Sequence, residues 1–153
     1  MGDVLTGFAC YDEALAALRR GARLMGEKHR PRVWLYVGHV YCEKGNYRSA
    51  EHWYRRSVDA DPTTMGLAFL GALLAKRGCF GEAKRCYRRA IRLATETPGE
   101  AYFNLGLILR AEWRYREAIE SFDRAIEIDP AYELAEKARR DCERAIELRK
   151  ELR

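Results

Sequence analysis

Apolar and small residues return along this chain in a fixed arrangement. Trp34, Val37, Gly38 and Tyr41 stand in one such group, and Leu67, Leu70, Gly71 and Leu74 repeat it, as do Tyr102, Leu105, Gly106 and Leu109. The steps of three and four residues mark one face of a helix. Twelve residues after each glycine comes an alanine, Ala50, Ala83 or Ala118, and Gly2 with Ala14 keeps the same separation. Nine residues after each glycine is an aromatic: Tyr47, Phe80, Tyr115, and Tyr11 in the first unit. Four residues after each alanine is a large apolar side chain (Tyr54, Tyr87, Phe122, with Leu18 first), and three further on a small one (Ser57, Ala90, Ala125, with Gly21 first). The four alanines are 36, 33 and 35 residues apart. Each unit therefore predicts two helices, the first carrying the glycine and the second the alanine. Positions with almost no side chain let the two helices approach and cross with ridges in grooves. The aromatic residues then fill the wider gap between neighbouring units.

The ends of these helices are also written in the chain. Gly45 and Gly78 close first helices, because glycine takes the left-handed cap conformation without penalty. Asp61-Pro62 and Asp129-Pro130 close second helices. Trp113 stands where Gly45 and Gly78 stand. A bulky residue is a poor occupant of positive φ, so this turn is expected to differ, with the indole covering the gap between helices. Met1 falls inside what would be the first helix of the first unit, so that unit is expected to be partial, with Gly2 and Ala14 on its two helices. Residues 131–153 lack the glycine. They predict one charged helix with Leu134, Ala135, Ala138, Cys142, Ala145, Ile146 and Leu152 near one side, supported by Glu133–Lys137 and Glu136–Arg140 pairs. Solenoids need a polar outer face at their ends, and this helix reads as such a cap. A helix that pairs with another chain is the alternative.

The spacing of about 34 residues and its small and aromatic positions resemble the tetratricopeptide repeat family. The resemblance spans residues 1–130. It implies an all-α, right-handed superhelical solenoid in a single domain: a partial repeat over 1–28, full repeats over 31–62, 64–97 and 99–130, and a capping helix over 131–153. It also implies that the first helix of each unit lines a concave groove. The positions that would face the groove are Arg32, Leu35, Tyr36, His39, Cys42 and Glu43 in the second unit. In the third they are Met65, Ala68, Phe69, Ala72, Ala75 and Lys76, and in the fourth Glu100, Phe103, Asn104, Leu107, Arg110 and Ala111. This set is largely apolar and aromatic, with Asn104 offering both a donor and an acceptor to a peptide backbone. An extended or helical peptide inserting apolar side chains is the expected ligand. The competing reading has Phe69 and Phe103 packed between units, leaving little open groove. One branch of the family clamps the C-terminal carboxylate of heat-shock chaperones. Here Leu35, His39, Ala68 and Ala72 occupy its lysine and asparagine places, and Asn104 and Arg32 alone resemble clamp residues.

Composition adds limits. Of 153 residues, 48% are hydrophobic, enough for a folded domain. Met1–Leu18 hold Asp3, Asp12 and Glu13 and read as no leader sequence. The longest apolar stretch, Met65–Ala75, contains two glycines and is too short to span a bilayer. Five scattered cysteines without a Cys-x-x-Cys pair read as reduced thiols in a cytoplasmic protein. The formal charge of +5 is uneven: net +7 over residues 1–98, −3 over 99–130 and +1 over 131–153. Arg19-Arg20, Arg55-Arg56 and Arg88-Arg89 recur at equivalent places, extended by Lys84, Arg85 and Arg92. Such a ladder attracts an acidic partner or nucleic acid, but solvated arginines whose stems cover apolar surface are the stronger reading. His39 and Cys42 share a helix face, but no second pair completes a zinc site. No cofactor, metal or catalytic group is expected. The leading function is a scaffold that binds a protein or peptide. A chaperone of secreted bacterial proteins and a regulatory domain of a larger protein are the alternatives.

Overall fold

The computed structural model describes residues 2–95 and 98–152, with side-chain surroundings from Cys10 onward. The expectations attached to Met1, to the surroundings of Gly2 and to the end of the third repeat at residue 97 lie outside these. The described residues are all-α. Eight helices run in order: α1 (Gly2–Leu24), α2 (Arg30–Glu43), α3 (Tyr47–Ala60), α4 (Thr64–Lys76), α5 (Phe80–Leu93), α6 (Gly99–Ala111), α7 (Tyr115–Ile128) and α8 (Glu133–Glu151). A short 3-10 turn, Glu27–His29, precedes α2. The second helix of each full repeat begins at the recurrent aromatic: Tyr47, Phe80 or Tyr115. The chain divides into two compact units, residues 1–73 and 74–153.

In the first unit, α2 starts with Pro31 in its first turn, where the missing N–H costs nothing. It ends at Gly45, whose φ is 75°. The Gly45 N–H donates to the Cys42 carbonyl at 2.9 Å and the Asn46 N–H to the Tyr41 carbonyl at 2.9 Å. These are the paired bonds of a glycine-terminated helix. Asn46 then caps α3, its side chain accepting from the Ser49 N–H at 3.1 Å. The crossing of α2 with α3 is set by a glycine under a ring. A Cβ on Gly38 would lie 2.6 Å from the Tyr54 ring and 3.3 Å from the Ala50 carbonyl oxygen. At the far end, the Ser57 hydroxyl donates to the Pro31 carbonyl at 2.7 Å. Leu15, Val33 and Val37 form a core with Leu18, Val40 and Trp53 against it. Each such side chain, fully buried, contributes about 1.5–3 kcal/mol.

The first helix departs from expectation. Ala14 and Gly2 lie on one unbroken helix rather than on two. Ala9 stands where the later units have Gly45 or Gly78, and alanine propagates a helix rather than ending it.

In the second unit, the turn after α4 uses Gly78 at φ 77° with the same pair of bonds: Gly78 N–H to Ala75 O at 2.9 Å and Cys79 N–H to Leu74 O at 2.8 Å. The turn after α6 was expected to differ, and it does not. Trp113 adopts φ 63°, its N–H donates to Arg110 O at 3.0 Å, and the Arg114 N–H donates to Leu109 O at 2.9 Å. A non-glycine residue in this region carries a strain of about 1–2 kcal/mol, which the two bonds and the packing of α6 on α7 hold in place. The indole does not cover the gap between helices: Trp113 is 72% exposed.

Gly106 repeats the Gly38 crossing, since a Cβ there would lie 2.5 Å from the Phe122 ring. Lys84 of α5 donates to both carboxylate oxygens of Glu112, at 2.7 and 2.5 Å. That hydrogen bond, with the nearby charges of Lys84 and Arg114 against a smaller opposing effect of burial, holds the Glu112 carboxyl below its usual range. Helix α8 packs on α7 through buried Ala135, Ala138 and Cys142. Arg139 reaches Asp123 at 3.6 Å, and Glu136 pairs with Arg140. Leu134 and Leu152, expected on the packed side, are 62% and 88% exposed. Each residue turns the helix by about 100°, so Leu134, one step from Ala135, already points off the contact stripe.

Candidate binding faces of the first helices

Helix α2 buries Val33, Val37 and Gly38, which leaves a stripe one to two positions away open to solvent. Arg32, Tyr36, His39 and Glu43, spaced by four, three and four, are all exposed. The Arg32 guanidinium lies 5.9 Å from the Tyr36 ring centroid, within the range at which a cation is attracted to a ring face. On α4, Met65 and Ala72 are exposed and Phe69 is half-buried. The His39 imidazole stacks on Phe69 at 5.6 Å and 22°, joining the two stripes. Phe69 also stacks on Tyr54 at 5.9 Å, so its inner side belongs to the core. Six predicted residues of the first unit are therefore brought onto adjoining stripes: Arg32, Tyr36, His39, Met65, Phe69 and Ala72. The result is an aromatic and thioether surface with one guanidinium and one imidazole.

Leu35 is a correction. It is 2% exposed and lines no surface. It is a close neighbour of Gly66, at 3.8 Å from the position of a Cβ there, and so packs under the start of α4. Cys42 is half-buried.

The second unit behaves differently. The Phe103 ring lies 5.8 Å from Phe122 and 5.0 Å from Tyr132, so it packs α6 on α7 and on the entry to α8. Asn104 and Leu107 are half-buried beside it. Arg110 is 39% exposed and 3.8 Å from Asp141 of α8. Lys76 is exposed at the end of α4. Nothing as open as the Tyr36 and Met65 surface is formed by these residues.

The arginine ladder is partly explained by packing. The Arg56 guanidinium lies 4.3 Å from the Trp34 ring centroid and 5.5 Å from that of Trp53. Sequence reasoning missed this cluster, although Trp53 and Arg56 stand one helical turn apart. Arg88 and Arg89 are exposed on α5. A concavity of about 400 Å³ is bounded by Trp113–Glu117 and by Ile146, Arg149 and Lys150. Its sole sequence signal was a tryptophan in a glycine position. Among the described residues no group of three or more His, Cys, Asp or Glu is placed to hold a metal ion, and the cysteines are free thiols. No helix among them is long and apolar enough to cross a membrane.

Comparison with known proteins agrees with this architecture. A family model described as tetratricopeptide repeat matches residues 63–131, and a second with the same description matches residues 10–63. No curated protein matches the sequence significantly. Among solved structures, MamA is similar over 99% of this chain and 87% of its own, at 24% identity and TM-score 0.79. The first TPR domain of Spaghetti (RPAP3), bound to the HSP90 peptide SRMEEVD, is similar over 78% of this chain and 95% of its own, at 22% identity and TM-score 0.73. YrrB, described as a TPR protein with an unusual peptide-binding site, is similar over 95% of this chain and 74% of its own, at 24% identity and TM-score 0.73. At these identities the likeness is one of fold.

Proposed function

Because this chain belongs to the tetratricopeptide repeat family, we propose that it is a protein-interaction module whose α2 and α4 face receives a segment of a partner protein. The observation that carries the reading is the pair of large side chains left open there: Tyr36 is 38% exposed and Met65 43% exposed, beside the stacked His39 and Phe69. Aromatic, methionine and arginine side chains are enriched where proteins bind one another. That two proteins of the same fold are described with peptides or peptide-binding sites supports the reading by analogy. A chaperone-tail peptide fits poorly. The places where the resemblance puts clamp lysines and asparagines hold buried Leu35, His39, Ala68 and Ala72, so the face offers apolar and aromatic contact rather than a carboxylate clamp. Half-buried Asn104, Leu107 and Arg110, and exposed Lys76, are the further candidates in residues 74–153.

The test is affinity capture from the source cell with the wild-type chain and with a Tyr36→Ala/Met65→Ala variant as baits, followed by titration of the recovered partner. Both residues are exposed enough that helicity and melting should stay near wild type. Losing two anchors should weaken binding by about tenfold or more. Equal affinity of the double variant would refute the assignment to this face, and Asn104→Ala would then test the further candidates.

A further inference from the structure

The turn between α6 and α7 presents a combination found at neither of the glycine turns. Trp113 holds a positive φ of 63° and leaves 72% of its surface in water. Strained backbone and an exposed indole are both unfavourable in an isolated domain, and such outliers cluster where a ligand is held. The indole is not alone. The Tyr115 ring meets it edge-on at 6.1 Å, and the two flank the concavity of about 400 Å³ whose other wall is Ile146, Arg149 and Lys150 of α8. Ile146 is half-buried and gives that wall an apolar patch.

The lining of this concavity is net positive, its one carboxylate, Glu117, being paired with Arg114. Arg114 is engaged by Glu117 at 2.5 Å and by Glu112 at 3.5 Å. Arg116, Arg149 and Lys150 are exposed and form no ion pair among the described residues. Three uncompensated cations thus surround an aromatic pair and an isoleucine.

We propose that this concavity docks an acidic segment of a partner protein. An aromatic or aliphatic side chain of that segment lies against Trp113 and Ile146, and its carboxylates meet Arg116, Arg149 and Lys150. Tryptophan, tyrosine and arginine are the residues on which binding energy concentrates, and bidentate arginine–carboxylate contacts add geometry to charge. Single-stranded nucleic acid is the rival occupant, since bases also stack on such rings. It needs a continuous basic track along its backbone, however, and here the unpaired cations are confined to Arg116, Arg149 and Lys150 around one aromatic pair. The site lies wholly in residues 74–153 and does not depend on the Tyr36 face.

The experiment is a fluorescence anisotropy titration of the full chain at low salt. The probes are a labelled decapeptide of Asp and Glu with a central Phe-Leu pair, its Asn and Gln counterpart, and a labelled short oligodeoxythymidine. The acidic peptide should bind saturably and more tightly than the other two probes. Its affinity should fall about tenfold or more in Trp113→Gly and in Arg149→Glu/Lys150→Glu. Trp113→Gly should melt no lower than wild type, because glycine relieves the backbone, so the loss cannot be ascribed to unfolding. The Tyr36→Ala/Met65→Ala variant should bind this peptide normally, which separates this site from the α2 and α4 face. Absence of saturable binding by the acidic peptide, unchanged affinity in Trp113→Gly, or tighter binding of the oligonucleotide would each overturn the proposal.

Discussion

Replacing Gly106 with alanine tests the helix crossing at its tightest point. The added Cβ would sit 2.5, 2.8 and 2.9 Å from three atoms of the Phe122 ring. Carbon atoms rest at about 3.5–4.0 Å, so the ring must retreat by about 1 Å. It has nowhere to go. Phe122 is 0% exposed, and its neighbour Phe103 is itself backed by Tyr132 at 5.0 Å. Overpacking of this kind costs about 1–3 kcal/mol. Against it stands the helix preference for alanine over glycine, about 1 kcal/mol. Gly81→Ala supplies the control. It lies in α5 of the same unit, and a Cβ there meets nothing within 4 Å, so it keeps the propensity gain and carries no clash. Gly106→Ala should therefore be less stable than Gly81→Ala by roughly 1–3 kcal/mol, or about 2–12 °C in melting temperature for a chain of this size. Circular dichroism at the helical band during thermal and urea unfolding reads the difference. Phe122→Leu in the Gly106→Ala background should recover part of the loss, with a favourable coupling of about 1 kcal/mol. The reasoning is refuted if Gly106→Ala melts at or above Gly81→Ala, or if the coupling with Phe122 is zero.

Two further outcomes follow from titratable groups. The Glu112 carboxyl is held below its usual range chiefly by the Lys84 hydrogen bond, so its contribution to stability is complete above the unfolded carboxylate value, about 4.3. It is lost as pH falls through the lower folded value. Glu112→Gln should accordingly flatten the fall in melting temperature between neutral and strongly acidic pH; identical pH profiles would rule the linkage out. Burial pushes the Cys142 thiol up, while the thiol of exposed Cys10 is open to solvent. Because the thiolate is the reactive form, iodoacetamide should label Cys10 first and Cys142 only on unfolding, as read by peptide mass spectrometry. Equal labelling rates in the native chain would contradict the packing of α8.

The local features of this protein were legible in its residues. The recurrence of Gly38, Gly71 and Gly106 with Ala50, Ala83 and Ala118 defined the helix pairs, and Gly45 and Gly78 marked their turns. These depend on helical periodicity and on backbone freedom, which act over a few neighbouring residues. What the tertiary structure decided was which side of each helix faces what. Leu35 and Tyr36 are adjacent in the chain, yet one is buried near Gly66 and the other is open, because a single step rotates a helix by about 100°. Leu134 misses its contact for the same reason. Phe103 became a packing residue only because Phe122 and Tyr132, 19 and 29 positions later, close on it. Trp113 took the conformation of a glycine because α6 and α7 are locked by their own crossing, and the turn between them must close whatever residue stands there. Propensity acts within a turn of chain, but packing between distant helices sets the final orientation of each side chain and can impose a conformation the local residue disfavours.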